Sequence, residues 1–328
     1  MKKSITFSEN KYEMSFFDIN NVLIAKNKIH NKINNTPIIK SFFFSKLLNY
    51  NLYLKLESFQ KTGSFKVRGV LNKLNYISDI EKNNGVISLS AGNHAQALAW
   101  ASNEIGIKSK IIMPFNASKA KIKATKYYGG NVILTKKNML EECMEIMKKE
   151  NLTLIHPFDD DHVIYGQGTI GLEIFEYSKK FEYVIIGVGG GGLISGISAV
   201  LKTLNPKIKI IGVEPTNSNV ITKSLISNKP ESLSSNTTIA DGLAAPFAGN
   251  ITLKYIKNFV DKIVCVNETE IKNSLRQIII NDKIIIEPAA AVTIASLVYK
   301  KISIPKNSNV LCLMCGSNID SKFLKEIL

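Results

Sequence analysis

The sequence has few cysteines and lacks long apolar runs. Four cysteines in 328 residues are too few for a disulfide framework, and residues 1–20 contain no sustained apolar stretch that would predict a signal peptide. No apolar run approaches the roughly 20 residues that a membrane-spanning helix needs. These absences predict a soluble cytoplasmic protein that neither depends on disulfides nor enters a membrane.

Acidic residues are also scarce, and the formal net charge is +15. Such an excess raises the possibility of a nucleic-acid partner. However, only two cations are arginines, Arg68 and Arg276, and the lysines are scattered singly or in pairs without an interleaved aromatic stripe. We therefore expect no nucleic-acid partner, and nucleic-acid binding stays as the alternative from a different functional class.

From residue 85 onward, short β-branched apolar runs alternate with longer helical patterns. This alternation is typical of βαβ units and predicts an α/β fold with mostly parallel sheets. The predicted strands lie near residues 86–90, 110–114, 131–134, 152–155, 183–188, 208–213 and 309–314. Helices are expected between them, for example over 118–128 and 139–149.

A run of four glycines, Gly189 to Gly192, follows the strand predicted at 183–188. Glycines leave backbone N–H groups unobstructed, and the helix pattern that begins at Leu193 would add the positive end of its dipole. No Lys-Ser or Lys-Thr follows, and the spacing is a poor dinucleotide fingerprint. The run therefore favours the phosphate of a smaller cofactor, with a flexible tight turn as the alternative.

Two further polar segments add chemical groups. The turn at residues 90–94 opens a helix, so its free N–H groups suit a carboxylate, while the Asn93 amide suits a ring oxygen. His94 is expected to be a structural histidine or an acid-base group. Lys66 lies at a helix start within the polar segment 55–69, where its amine could form an imine. A phosphate cradle, a carboxylate cradle and such a lysine are the needs of a pyridoxal site for amino acids.

Seven segments, in matching order, resemble the threonine/serine dehydratase and serine racemase family of fold-type II pyridoxal-phosphate enzymes. These segments are SFKVRG, SAGNHAQ, GVGGGGLISG, GVEP, TIADG, EPAAA and CGSN. The resemblance covers nearly the whole chain and is greatest to the catalytic domain of threonine dehydratase. It implies pyridoxal 5'-phosphate as cofactor, a tryptophan synthase beta-like fold of two open, twisted, mostly parallel sheets flanked by helices, and a homo-oligomer, dimer or tetramer.

The resemblance also implies a domain division and residue roles. A large cofactor-binding domain would comprise residues 1–83 and 160–328, with a small domain inserted at 84–159. Lys66 would be the Schiff-base lysine and the general base at Cα. The implied cofactor contacts are Phe65, Lys66, Asn93, Gly189, Gly190, Gly191, Gly192, Leu193 and Cys315. The implied substrate contacts are Ser90, Ala91, Gly92, Asn93, His94 and, near the substrate hydroxyl, Asp241.

Some of these residues have alternative roles, and others distinguish between members of the family. Asp241 could instead cap a turn, and Glu287 could be a cap or a pocket wall. Cys315 stands where the family places a neutral partner of the pyridine nitrogen, which favours β-elimination; a redox or zinc pair with Cys312 is the competing interpretation. Ala91 replaces the second serine of the racemases, so two-base racemisation is not expected.

The resemblance further implies that metal-binding members carry an aspartate near the position that Val220 occupies here, after Glu214. No metal site is therefore expected. The chain also ends soon after the CGSN segment, where longer relatives carry an effector-binding region, so feedback regulation of that kind is not expected.

Together these features predict β-elimination of L-threonine, L-serine or both, which gives 2-oxobutanoate or pyruvate plus ammonia. The alternatives are a dehydratase of another β-hydroxy amino acid such as 3-hydroxyaspartate, a serine racemase, or a cofactor-binding protein without turnover. The sequence leaves the choice among threonine, serine and 3-hydroxyaspartate open.

Overall fold

The protein is described by a computed structural model that covers residues 5–6, 16–178 and 180–328. Two β-sheets are flanked by helices, which confirms the predicted α/β class with mostly parallel strands. None of the helices in these ranges is both long and apolar enough to cross a membrane.

The larger sheet has seven strands in the order β1-β10-β9-β8-β11-β3-β2. Its strands are β1 (Ile5–Thr6), β2 (Ile38–Lys40), β3 (Asn51–Leu56), β8 (Tyr183–Gly187), β9 (Lys209–Pro215), β10 (Lys262–Val266) and β11 (Asn309–Met314). The five inner strands pair in parallel, whereas the edge strands β1 and β2 are antiparallel to their neighbours. The inner strands are almost wholly apolar because helices cover both faces of the sheet.

The smaller sheet has four parallel strands in the order β6-β5-β4-β7. Its strands are β4 (Val86–Leu89), β5 (Ser109–Pro114), β6 (Asn131–Thr135) and β7 (Thr153–Leu154). All four lie inside the segment 84–159 that the sequence analysis assigns to a small domain.

The helices connect successive strands and carry the buried apolar faces that cover the sheets. They are α1 (Ile19–Ile29), α2 (Phe42–Leu48), α3 (Lys66–Leu74), α4 (Asp79–Asn84), α5 (Asn93–Glu104), α6 (Lys119–Tyr127), α7 (Met139–Glu150), α8 (Asp161–Glu176), α9 (Gly192–Leu204), α10 (Val220–Ser227), α11 (Asn250–Phe259), α12 (Glu268–Asp282), α13 (Pro288–Val298) and α14 (Ser321–Ile327).

Every strand predicted from the sequence coincides with a strand of the structure, although β1, β2, β3 and β10 were not predicted. The segment 217–238, which is rich in Ser, Asn and Thr, contains α10. That helix forms because Val220 and Ile221 are completely buried in the main core. Tertiary burial thus overrides a weakly helical local composition.

The sheet topology places three predicted motifs at strand ends. The glycine run follows β8, the Cys315 segment follows β11, and the polar turn at 90–94 follows β4. Parallel α/β sheets bind ligands outside the carboxyl ends of their strands. The carboxyl ends of strands from both sheets therefore face one shared site.

Candidate active site

The glycine run forms a tight loop between β8 and α9. Gly191 has φ +91°, a conformation that favours glycine, and a Cβ atom at Gly190 would lie 2.4 Å from the Phe158 ring. A Cβ at Gly189 would lie 3.0 Å from Leu243. The loop therefore has no space for side chains on this side, and it leads directly into the N-terminus of α9. This arrangement fits a phosphate group.

Lys66 is the first residue of α3, in agreement with the predicted helix start, and its side chain lines two cavities. Its Nζ donates a hydrogen bond of 2.7 Å to the carbonyl oxygen of Pro157 and lies 5.2 Å from the centre of the Phe65 ring. Burial lowers the pKa of Lys66 to about 8, against the opposing influence of Cys315 and Glu287. A substantial fraction of this amine is therefore neutral near physiological pH, as imine formation requires.

A buried ion-pair network holds α3 in place. Arg68 is 0% exposed, and its guanidinium makes hydrogen bonds of 2.6–3.1 Å to the carboxylates of Glu57 and Glu173 and to the Thr169 hydroxyl. These contacts use all five donors of the side chain. They fasten α3 to the end of β3 and to α8, and so fix the backbone from which Lys66 projects.

The Asn93 side chain has a defined orientation. Asn318 donates 2.8 Å hydrogen bonds to the Asn93 side-chain oxygen and to the carbonyl oxygen of Thr62. The Asn93 Nδ2 atom in turn donates to the two carboxylate oxygens of Glu287, at 2.8 and 3.0 Å. The NH₂ group of Asn93 therefore faces the cavity side occupied by Glu287.

Glu287 lies between Asn93 and Cys315, and its carboxylate accepts a 3.8 Å hydrogen bond from the Cys315 thiol. Burial raises the pKa of Glu287 to about 7 and raises the pKa of Cys315 well above the ordinary thiol value. Burial also raises the pKa of Cys312, and neither cysteine forms a disulfide. Both thiols are therefore protonated, which argues against the redox or zinc interpretation of this pair.

Two adjoining cavities contain the predicted site residues. One has a volume of about 300 Å³ and is lined by Lys66, Ser90, Ala91, Gly92, Asn93, His94, Lys121, Asp241, Glu287 and Asn318, among others. The other is lined by Phe65, Lys66, Asn93, Gly189, Gly190, Gly191, Gly192, Leu193, Glu287 and Cys315, among others. Lys66, Asn93 and Glu287 line both. The structure thus brings together every residue that the sequence analysis proposed for the site.

His94 and Asp241 have contacts that clarify their alternatives. The His94 ring lies 3.0 Å from both the Ser88 hydroxyl and the Ile155 carbonyl oxygen, and burial lowers its pKa to about 3. This ring is a neutral, structurally held histidine. Asp241 begins a 3-10 turn, and its carboxylate forms an ion pair with the Lys121 ammonium in the lining of the cavity.

Four residues that line the cavities were either not predicted from the sequence or were assigned a lesser role. Glu287 precedes α13, but its carboxylate does not cap that helix, so it is a pocket wall. Asn318 belongs to the CGSN segment, which could have signalled it. Lys121 and Phe158 carry no local signal, because their contacts are with residues distant in the sequence.

Glu214 accepts hydrogen bonds of 2.6–2.8 Å from the Ile221 and Thr222 amides and the Thr222 hydroxyl at the start of α10. Burial raises the pKa of this carboxyl to about 7. Within the described residues, no group of three or more His, Cys, Asp or Glu side chains is arranged to hold a metal ion.

The family model described as "Pyridoxal-phosphate dependent enzyme" matches residues 29–316. The chain belongs to this family. It is also 40% identical over 308 residues to the L-threonine ammonia-lyase of Thermotoga maritima, a match that covers 93% of this chain and 76% of that protein.

Solved structures agree with this family assignment. The processed form of threonine deaminase isoform 2 from Solanum lycopersicum superposes with a TM-score of 0.90 at 33% identity, covering 99% of this chain and 97% of the other. Maize serine racemase superposes with a TM-score of 0.90 at 32% identity, covering 94% and 96%.

These matches confirm the predicted fold type and pyridoxal phosphate as the cofactor of this pyridoxal-phosphate dependent enzyme. The side chains present fit that group. The glycine loop lines the cavity without side chains, Lys66 offers an amine with a lowered pKa, and Asn93 lies in the same lining with its NH₂ group donating to Glu287. The activity named for the relatives agrees with the predicted deamination.

Proposed function

We propose that this pyridoxal-phosphate dependent enzyme is an ammonia-lyase that deaminates L-threonine and L-serine by β-elimination. The products are 2-oxobutanoate or pyruvate, each with ammonia. The observation that carries the proposal is the shared lining of the two cavities: Lys66 and Asn93 lie where a phosphate-binding loop meets a carboxylate-binding turn.

The proposed cofactor-holding residues are Lys66 for the aldehyde carbon, the loop Gly189 to Gly192 with Leu193 for the phosphate, Asn93 for the ring oxygen, Phe65 beside the ring and Cys315 for the ring nitrogen. Bound pyridoxal phosphate supplies an electron sink that stabilises negative charge at the substrate Cα. A protonated Cys315 thiol is a neutral partner, so it does not fix a positive charge on the ring nitrogen.

Lys66 also moves the proton in the proposed reaction. When it does not hold the cofactor, the Lys66 Nζ would accept the Cα proton, and a pKa of about 8 suits a general base near neutral pH. In the turn at residues 90–94, the Ser90 amide donates to the Ile112 carbonyl oxygen and the Gly92 amide donates to the Ser90 hydroxyl. The remaining N–H groups of this turn, at the N-terminus of α5, hold the substrate carboxylate.

Serine racemase is the second candidate because the maize enzyme has the same fold. Racemisation by two bases needs a proton donor on the face of Cα opposite Lys66. Ala91 lines the cavity with a methyl group, which cannot donate a proton. The elimination reaction is therefore favoured.

We also propose a domain division, an oligomeric state and a cellular location. Residues 84–159 form a small domain and residues 1–83 with 160–328 form the large domain; the four-stranded sheet lies wholly within the former segment. A homo-oligomer, dimer or tetramer, acts on this small-molecule substrate in the cytoplasm. The four free cysteines are compatible with a reducing compartment.

The test is an absorption spectrum of the purified protein with pyridoxal phosphate, followed by addition of L-threonine or L-serine and assay of the 2-oxo acid. We expect a visible absorption band and release of 2-oxobutanoate from L-threonine. Lys66→Ala abolishes both, whereas the control Lys82→Ala, in the exposed helix α4, retains them. A protein that binds the cofactor but releases no 2-oxo acid from either substrate would contradict the proposal.

A further inference from the structure

An ion pair crosses the larger cavity. Lys121 projects from α6, which flanks the four-stranded sheet, and Asp241 lies in a 3-10 turn near the seven-stranded sheet. The two side chains are 21% and 51% exposed, and both line the cavity of about 300 Å³. The pair therefore lies in the lining of the cavity that the proposed function assigns to the substrate.

The charges around this cavity are few. Among the described residues that line it, the cations are Lys66 and Lys121, and the acidic residues are Asp241 and Glu287. Lys66 is committed to the cofactor, and Asp241 already pairs with Lys121. The His94 ring is neutral because its pKa is about 3. A substrate with a second carboxylate would therefore meet no unpaired cation in this lining.

A buried or half-buried carboxylate without a partner is unfavourable, and here it would also approach Asp241, a like charge. A methyl group or a hydrogen at the same position has neither cost. Threonine and serine satisfy this requirement, whereas 3-hydroxyaspartate does not.

We infer that the Lys121–Asp241 pair is a specificity-determining element that restricts the enzyme to neutral β-hydroxy amino acids by keeping Lys121 unavailable to an acidic side chain. The inference rests on the proposed β-elimination and specifies its substrate class. The ion pair disfavours binding of an acidic substrate, and it adds no contact to a neutral substrate.

The test replaces Asp241 by asparagine, which keeps the shape but frees the Lys121 ammonium. The ratio of kcat/KM for L-threo-3-hydroxyaspartate to kcat/KM for L-threonine should rise roughly tenfold in Asp241→Asn, the lower end for a hydrogen bond to a charged group. Adding Lys121→Gln should return the ratio towards the wild-type value. Asp79→Asn, which removes an exposed ion pair with Lys82, is the matched control and should leave the ratio unchanged.

A binding measurement tests the role of the ion pair without requiring the proposed reaction. L-aspartate and L-2-aminobutyrate have no β-hydroxyl leaving group, and they differ in a carboxylate against a methyl group. Their relative affinities for the cofactor-loaded protein, measured by titration of its absorption spectrum, should shift towards L-aspartate in Asp241→Asn and not in the double variant.

The outcomes are distinct. An unchanged ratio in Asp241→Asn, an equal rise in the double variant, or a wild type that prefers 3-hydroxyaspartate would overturn the inference while leaving β-elimination standing. If the wild type turns over none of these amino acids, the proposed function fails, and the aspartate to aminobutyrate affinity ratio alone supports or overturns the role of the ion pair.

Discussion

Replacement of Arg68 by methionine tests whether the buried network fixes the helix that carries Lys66. Methionine retains an unbranched apolar chain but none of the five guanidinium donors. The change leaves Glu57, which is 0% exposed, with the Thr36 hydroxyl at 2.5 Å but without its cationic partner. Glu173 keeps its ion pair with Lys55.

Breaking a buried ion pair from one side typically costs about 3–5 kcal/mol, because a charge remains buried and unpaired. We expect Arg68→Met to lower the free energy of unfolding by about that amount, a large share of the total of about 5–15 kcal/mol of ordinary domains. Arg68→Lys keeps the charge but loses the forked geometry, so its loss should be smaller.

The measurement is urea unfolding of the cofactor-free protein followed by circular dichroism, with the affinity for pyridoxal phosphate measured in parallel. Arg276→Met is the matched control, since Arg276 is the other arginine and lies exposed. It should change stability by less than about 0.5 kcal/mol. The reasoning is refuted if Arg68→Met and Arg276→Met have the same free energy of unfolding. It is also refuted if Arg68→Met keeps the wild-type free energy of unfolding and binds the cofactor with unchanged affinity.

Three further predictions concern the cofactor site. Because Lys66 has a lowered pKa of about 8 and must be neutral to attach the cofactor, the rate of reconstitution with pyridoxal phosphate should rise with pH through about 8; a flat stopped-flow profile would contradict this. Gly190→Ala should weaken cofactor binding at least tenfold, because its Cβ would lie 2.4 Å from the Phe158 ring; unchanged affinity by fluorescence titration would disprove the cradle. Cys315→Ser keeps a neutral hydrogen-bonding group beside Glu287 and should retain much of the turnover; a dead variant with bound cofactor would contradict the neutral-partner role.

The local motifs were readable from the sequence because their function depends on neighbouring residues. A glycine run after a strand produces converging N–H groups wherever it occurs, and a polar turn at a helix start leaves donors free. Lys66 also stands at a helix start, which its own segment predicted. The strands β4, β8 and β11, which end at the polar turn, the glycine run and the Cys315 segment, were predicted because buried parallel strands are continuous apolar runs. β3, which leads into the Lys66 segment, was not predicted.

The strands β2 and β10 and the helix α10 were harder to predict from the sequence. β2 is a short antiparallel edge strand with intermediate burial, and β10 has no motif beside it. The helix α10 depends on burial of its apolar residues against the main core, which its composition does not show.

The motifs along the chain were enough to identify the family, the cofactor and the chemical groups that serve it. The orientation of these groups and the pairing of their charges became visible only in the three-dimensional arrangement. Asn318 contacts Asn93 across 225 positions, and Lys121 contacts Asp241 across 120. Such contacts arise when two sheets place their strand ends side by side. Hydrogen bonds and ion pairs depend on distance and direction in space, which local sequence patterns do not encode.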